Sequence, residues 1–101
     1  MASDENAIKR SILEYLKYRG IPATKHQSGT IFMHGRVIEL GEAGWPDIIA
    51  ILPGGRLLGI EVKTKTGSLE DTQKARFIEL EKQGALIIIA QNVEDVEKNL
   101  Q

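Results

Sequence analysis

The sequence predicts an α/β fold with a mixed central β-sheet flanked by helices, and three observations carry that expectation. Two apolar stretches, Ile48–Leu52 and Leu58–Val62, stand on either side of Pro53-Gly54-Gly55, a hairpin signal. A third, Ala85–Ala90 (ALIIIA), follows a helical stretch. The crossover to it from the Glu61 strand is long enough to make those two strands parallel. Apolar residues at helical spacing, first Ile8, Ile12, Tyr15 and Leu16, supply the flanking helices.

In chain order, Ser3 is a plausible N-cap, with Asp4 and Glu5 in the first turn where the helix dipole favours acids. That helix runs to Arg19; Gly20 closes it and Pro22 prevents continuation. Glu14 projects away from the apolar stripe, on the side of Ala7 and Tyr18, and taken alone reads as a solvated surface residue. Ala23 to Gly29 is polar and reads as irregular. Thr30–Met33 and Arg36–Glu39 then form a hairpin about His34-Gly35, expected to share the sheet. His34 suits a positive-φ turn position, and neither it nor His26 sits in a recognisable ligand motif.

After the loop Leu40–Gly44, Pro46 belongs at the first position of the next strand, because it lacks a donor. Ile48–Leu52 is apolar without alternation, as expected of a strand buried on both faces. In the following strand Leu58, Ile60 and Val62 form one face, while Glu61, Lys63 and Lys65 form the other. Ser68 begins a second helix, with Asp71 at capping-box spacing, and Gly84 stops it after Gln83. Gln73, Phe77 and Leu80 share its inner face, so Gln73 points toward the sheet. Ala85–Ala90 is a second two-sided buried strand, and Val93–Leu100 a short terminal helix on Val93, Val96 and Leu100.

Composition narrows the class. With 101 residues, residues 1–101 are expected to form one domain with an adequate core. A hydrophobic share of 42% beside 27% charged residues is ordinary for a globular protein in water. The absence of cysteine excludes a disulfide scaffold, a thiolate metal site and a cysteine nucleophile. No apolar run approaches the roughly 20 residues that span a bilayer, and MASDENAIKR lacks the layout of a signal peptide. The expected location is therefore cytoplasmic, away from membranes. A net charge of −1 offers no global basic signature for nucleic acid. The acids, however, concentrate in the terminal helices (Asp4, Glu5, Glu94, Asp95, Glu97). Lys63, Lys65, Lys74 and Arg76, with Lys25, His26 and Arg36, would give a locally positive field if they shared a face.

The chemistry gathers at the end of the second hairpin. Pairing Leu52 with Arg56 through a three-residue loop sets Asp47 opposite Glu61, with Lys63 two residues on and on the same face. A two-residue loop at Gly54-Gly55 would instead set Asp47 opposite Val62, on the wrong face, unless a bulge restored the parity. Asp47 at the mouth of its strand reads either as a cap for backbone donors or as a ligand. Two carboxylates suit a hard divalent cation. A lysine beside them can hold a nucleophile in line, or act as base if burial lowers its pKa.

Gly44-Trp45-Pro46-Asp47-Ile48-Ile49, Ile60-Glu61-Val62-Lys63, Leu69 with Gln73, and Gly84 before the last strand together resemble the VRR-NUC (virus-type replication-repair nuclease) family of the PD-(D/E)XK superfamily. The likeness runs over nearly the whole chain. It implies a restriction-endonuclease-like fold and a metal-dependent endonuclease that hydrolyses DNA phosphodiester bonds. Asp47 and Glu61 would bind Mg²⁺ or Mn²⁺ with the main-chain carbonyl of Val62, and Glu14 would complete the metal site from the first helix. Lys63 would orient or activate the attacking water, and Gln73 would position that water or Lys63. Relatives this small tend to be homodimers acting on branched DNA such as four-way (Holliday) junctions, so a homodimer on branched DNA is expected here. The competing expectation is a non-catalytic module of the same fold that binds DNA or a protein partner.

Overall fold

The computed structural model describes residues 4–100. Ser3, the expected first cap, lies outside them, and Asp4 does that work: its Oδ1 accepts from the Asn6 N–H at 3.0 Å. Helix α1 (Glu5–Tyr18) buries Ile12 and Leu16 and ends at Gly20, whose φ of +74° serves the turn. Next come β1 (Ala23–Lys25), β2 (Thr30–Met33), β3 (Arg36–Glu39), β4 (Ile48–Ile51) and β5 (Leu57–Val62). Then follow α2 (Asp71–Lys82), β6 (Leu86–Ala90) and α3 (Val93–Asn99).

The main sheet has the order β1-β4-β5-β6. Its first two pairings are antiparallel and β5 with β6 is parallel, so the mixed sheet with flanking helices is as expected. Its membership differs in one respect. The stretch read as irregular supplies β1, which pairs with β4 in the register Ala23↔Ala50 and Lys25↔Ile48. An edge strand of three residues held by backbone bonds needs no apolar alternation, so it left no periodic signal. With β5 on its other side, β4 has no free edge for the β2–β3 hairpin. That hairpin forms a separate two-stranded sheet whose eight strand residues are all exposed. It turns at His34 (φ +53°) and Gly35 (φ +73°), as the residue types suggest.

Even-numbered residues of the sheet (Ile48, Ala50, Leu58, Ile60, Val62, Ile88, Ala90) form the core with Ile12 and Leu16 of α1 and Val96 of α3. The opposite, odd-numbered face meets α2, which buries Phe77. This second layer is thinner. Ile51 and Ile89 remain 44% and 43% exposed, so β4 and β6 are not sealed on both faces as their unbroken apolar runs suggested. The start of α2 also differs: Glu70 is the N-cap, and the capping-box partner is Gln73 rather than Asp71. Ser68–Asp71 and Glu70–Gln73 have the same spacing, and the chain uses the second.

Candidate active site

The turn between β4 and β5 decides whether a site exists. Leu52 N–H donates to Arg56 O at 2.8 Å and Gly55 N–H to Leu52 O at 2.9 Å, with Gly54 and Gly55 at φ +90° and +94°. Three residues therefore make the loop, and the ladder continues as Ile51↔Leu57 and Ile48↔Ile60. One step further, Asp47 faces Glu61 on the same side of the sheet.

The two acids hold each other through the backbone. Asp47 N–H donates to Glu61 Oε1 at 3.1 Å, and Val62 N–H donates to Asp47 Oδ2 at 2.9 Å. Asp47 thus caps a backbone donor and faces the site at once. Glu61 is only 2% exposed. Its Oε2 accepts from Gln73 Nε2 at 2.7 Å and lies 3.4 Å from the Lys63 ammonium. Gln73 is oriented in turn by Glu70, whose N–H donates to Gln73 Oε1 at 3.0 Å. With its oxygen committed to a backbone donor, the amide presents its NH₂ to Glu61. Burial raises the Glu61 pKa first, and the charge of Asp47 adds to the rise; Lys63, Gln73 and the Asp47 N–H pull the other way.

Asp47, Glu61, Lys63 and Gln73 are therefore brought together, with Val62 at the last position of β5 giving its N–H to Asp47. Glu14 is not. It is exposed, and the side chain that α1 sends to Asp47 is Lys9, 3.6 Å from Oδ1. Glu14 lies about 140° around the helix from Lys9, so both cannot face one point. The sequence contained a signal for Lys9, which sits among Ile8, Ile12, Leu13 and Leu16 on the apolar stripe. Sequence reasoning also passed over a neighbouring contact of Glu42, Trp45 and Arg76.

Among the described residues no three Asp, Glu, His or Cys side chains are grouped closely enough to hold a metal ion. Two carboxylates remain, one buried, repelling each other across a strand pair. That donor set fits Mg²⁺ or Mn²⁺, which bind through one or two carboxylates and keep several waters.

A family model described as the VRR-NUC domain matches residues 10–94. A solved structure described as a VRR-NUC domain shares 23% identity and superposes with a TM-score of 0.69, covering 96% of this chain and 94% of that one. A second, a VRR-NUC domain protein, shares 20% identity at a TM-score of 0.65, covering 100% of this chain and 88% of that one. No curated protein matches the chain.

Proposed function

Because the chain belongs to the VRR-NUC nuclease family, we propose that it is an Mg²⁺- or Mn²⁺-dependent endonuclease that hydrolyses DNA phosphodiester bonds. We propose further that it acts on branched DNA as a homodimer. The observation that carries the catalytic reading is the meeting of Asp47, Glu61, Lys63 and Gln73 at one end of the β4–β5 hairpin.

Asp47 and Glu61 would hold the cation, with the Val62 carbonyl as a third oxygen. When bound, the metal lowers the pKa of a coordinated water and offsets charge developing on the phosphate. Lys63, a fifth exposed and 3.4 Å from Glu61 Oε2, would orient the attacking water for in-line attack. Gln73 fixes the Glu61 carboxylate from the first turn of α2. A further carboxylate from α1 would be Glu5, one turn before Lys9 on the same stripe and half-buried. It replaces Glu14 in this reading.

Support for self-association comes from the β2–β3 hairpin. Phe32 and Val37 are cross-strand partners 75% and 67% exposed, with Met33 (44%), Ile38 (38%) and Leu40 (39%) nearby. A two-stranded ribbon is marginal alone, and so apolar a surface suits a second copy. A two-fold pair would also match the symmetry of a four-way junction.

The test of catalysis is Lys63→Ala. Loss of a positioned group should slow Mg²⁺-dependent cleavage of a four-way junction by about 100-fold or more with little change in melting temperature. Cleavage at the parent rate would remove Lys63 from the site. Mn²⁺ calorimetry separates the enzyme from the non-catalytic module: binding abolished by Asp47→Asn supports the former, and no binding to the parent supports the latter.

A further inference from the structure

A second cluster adjoins the catalytic residues and has no part in the hydrolytic chemistry. Glu42 is 67% exposed along its side chain, yet both its carboxylate oxygens are engaged. Oε1 accepts from Arg76 Nη2 at 2.9 Å, and Oε2 accepts from the Trp45 indole N–H at 3.1 Å. The Arg76 guanidinium lies 5.1 Å from the centre of the Trp45 ring, a cation–π stack. His26 Nε2 is 3.0 Å from the main-chain oxygen of Glu42, so basic groups from both halves of the chain converge on this residue.

Position gives the cluster its meaning. Trp45 is two residues before Asp47, and Arg76 three residues after Gln73. Along α2, three residues advance about 4.5 Å, which sets Arg76 just under one turn beyond Gln73. The loop bearing Trp45 is seated on α2 at Gly44, where a Cβ would lie 3.2 Å from Thr72 O. The loop thus packs closely against the helix that carries Gln73 and Arg76.

We propose that Trp45 and Arg76 bind the nucleotide next to the scissile phosphate, and that Glu42 is an internal stand-in for the DNA anion. This rests on the nuclease reading above. Arg76 exchanges the carboxylate for a phosphate, whose two non-bridging oxygens can also accept from the planar guanidinium. A half-exposed ion pair is a weak one, so the exchange costs little. Trp45, released from Glu42, stacks on the neighbouring base, a contact every base offers. Glu42 thereby keeps the platform closed to weaker anions.

Binding of a fluorescein-labelled four-way junction to the full chain in Ca²⁺, under conditions where no product forms, tests this by anisotropy. Trp45 is the sole tryptophan, so its emission reports stacking directly. Saturating junction should quench the parent's emission. Glu42→Gln should tighten binding about fivefold at low salt, and Arg76→Gln should weaken it about tenfold while lowering the salt slope by about 0.9, one phosphate contact. A merely structural clasp predicts the reverse for Glu42→Gln, with weaker binding alongside a lower melting temperature. Unchanged or weaker binding by Glu42→Gln, or unaltered Trp45 emission, overturns the proposal, and neither depends on Arg76→Gln folding. A parent that binds and is quenched but never cleaves with Mg²⁺ supports Trp45 and Arg76 as a DNA platform with Glu42 as its stand-in anion, and sinks the catalytic reading on which the scissile position rests. A parent that cleaves, with Glu42→Gln at parental affinity, sinks only this one. A parent that binds no DNA overturns both.

Discussion

Replacing Gly59 with alanine probes how the position of Asp47 is set. Gly59 is buried in β5 opposite Ile49, two residues before Glu61. A Cβ there would lie 2.7 Å from Pro46 Cγ, 2.9 Å from Ile87 Cδ1 and 3.3 Å from Pro46 Cβ. Ile87 can rotate its terminal methyl away. The Pro46 ring cannot, because it is tied to the backbone at both ends. To move from 2.7 Å to the 3.4 Å of ordinary contact, Pro46 must retreat about 0.7 Å, and Asp47 is bonded to it. Overpacking of this kind costs about 1–3 kcal/mol, or roughly 4–20 °C in melting temperature for a domain of this size. A misplacement approaching 1 Å can cost about 100-fold in rate. The variant should therefore melt below the parent yet remain folded at 25 °C, with cleavage slowed at least tenfold. Calorimetry and junction cleavage on one preparation read both. Parental melting temperature together with parental rate would refute the idea that Gly59 and Pro46 position Asp47 by contact.

Glu5→Gln should weaken Mn²⁺ binding severalfold by calorimetry while Glu14→Gln leaves it unchanged; the opposite ranking would restore Glu14 to the metal site. The raised pKa of Glu61 means that the fold favours its protonated form. In metal-free protein its contribution is fully present below the unfolded pKa and is lost as pH rises through the higher folded value. The parent's stability relative to Glu61→Gln should therefore grow on acidification through that window in urea melts, and a difference flat with pH would contradict the burial argument. Light scattering should give a dimer mass at micromolar concentration, reduced to a monomer by Phe32→Asp. A monomeric parent would remove the self-association proposal.

The convergence of Asp47, Glu61, Lys63 and Gln73 is legible in the sequence because it depends on local rules: a Pro-Gly-Gly turn, strand parity and a helical glutamine on an inward face. The sequence admits one alternative, the two-residue loop, and the Leu52–Arg56 hydrogen bond closes it. Misreadings arose where local rules are silent. Ala23–Lys25 is a strand only because β4 offers it an edge, and β2–β3 is a correct hairpin whose docking is a tertiary matter. Glu14 is implied by family likeness alone, against its helical phase, and that phase leaves it exposed. Lys9 carries only a weak signal because lysines on helices are usually solvated, although its neighbours on the stripe are apolar. The Glu42–Trp45–Arg76 contact joins positions 34 residues apart, a separation at which no periodicity speaks.

The hairpin of β2 and β3 is tied to the rest of the molecule at a narrow base, where Ser28 bridges Gly41 and Leu40 N–H donates to Gly29 O at 2.8 Å. No rung of its ladder is shared with the strands that carry Asp47 and Glu61. Evolution can accordingly lengthen, trim or exchange this appendage as a cassette while leaving the pairing of Asp47 with Glu61 untouched. Sequence drift between Ser28 and Gly41 would then reshape this outer surface alone, with the hydrogen bonds between the two carboxylates and the paired strands inherited unchanged.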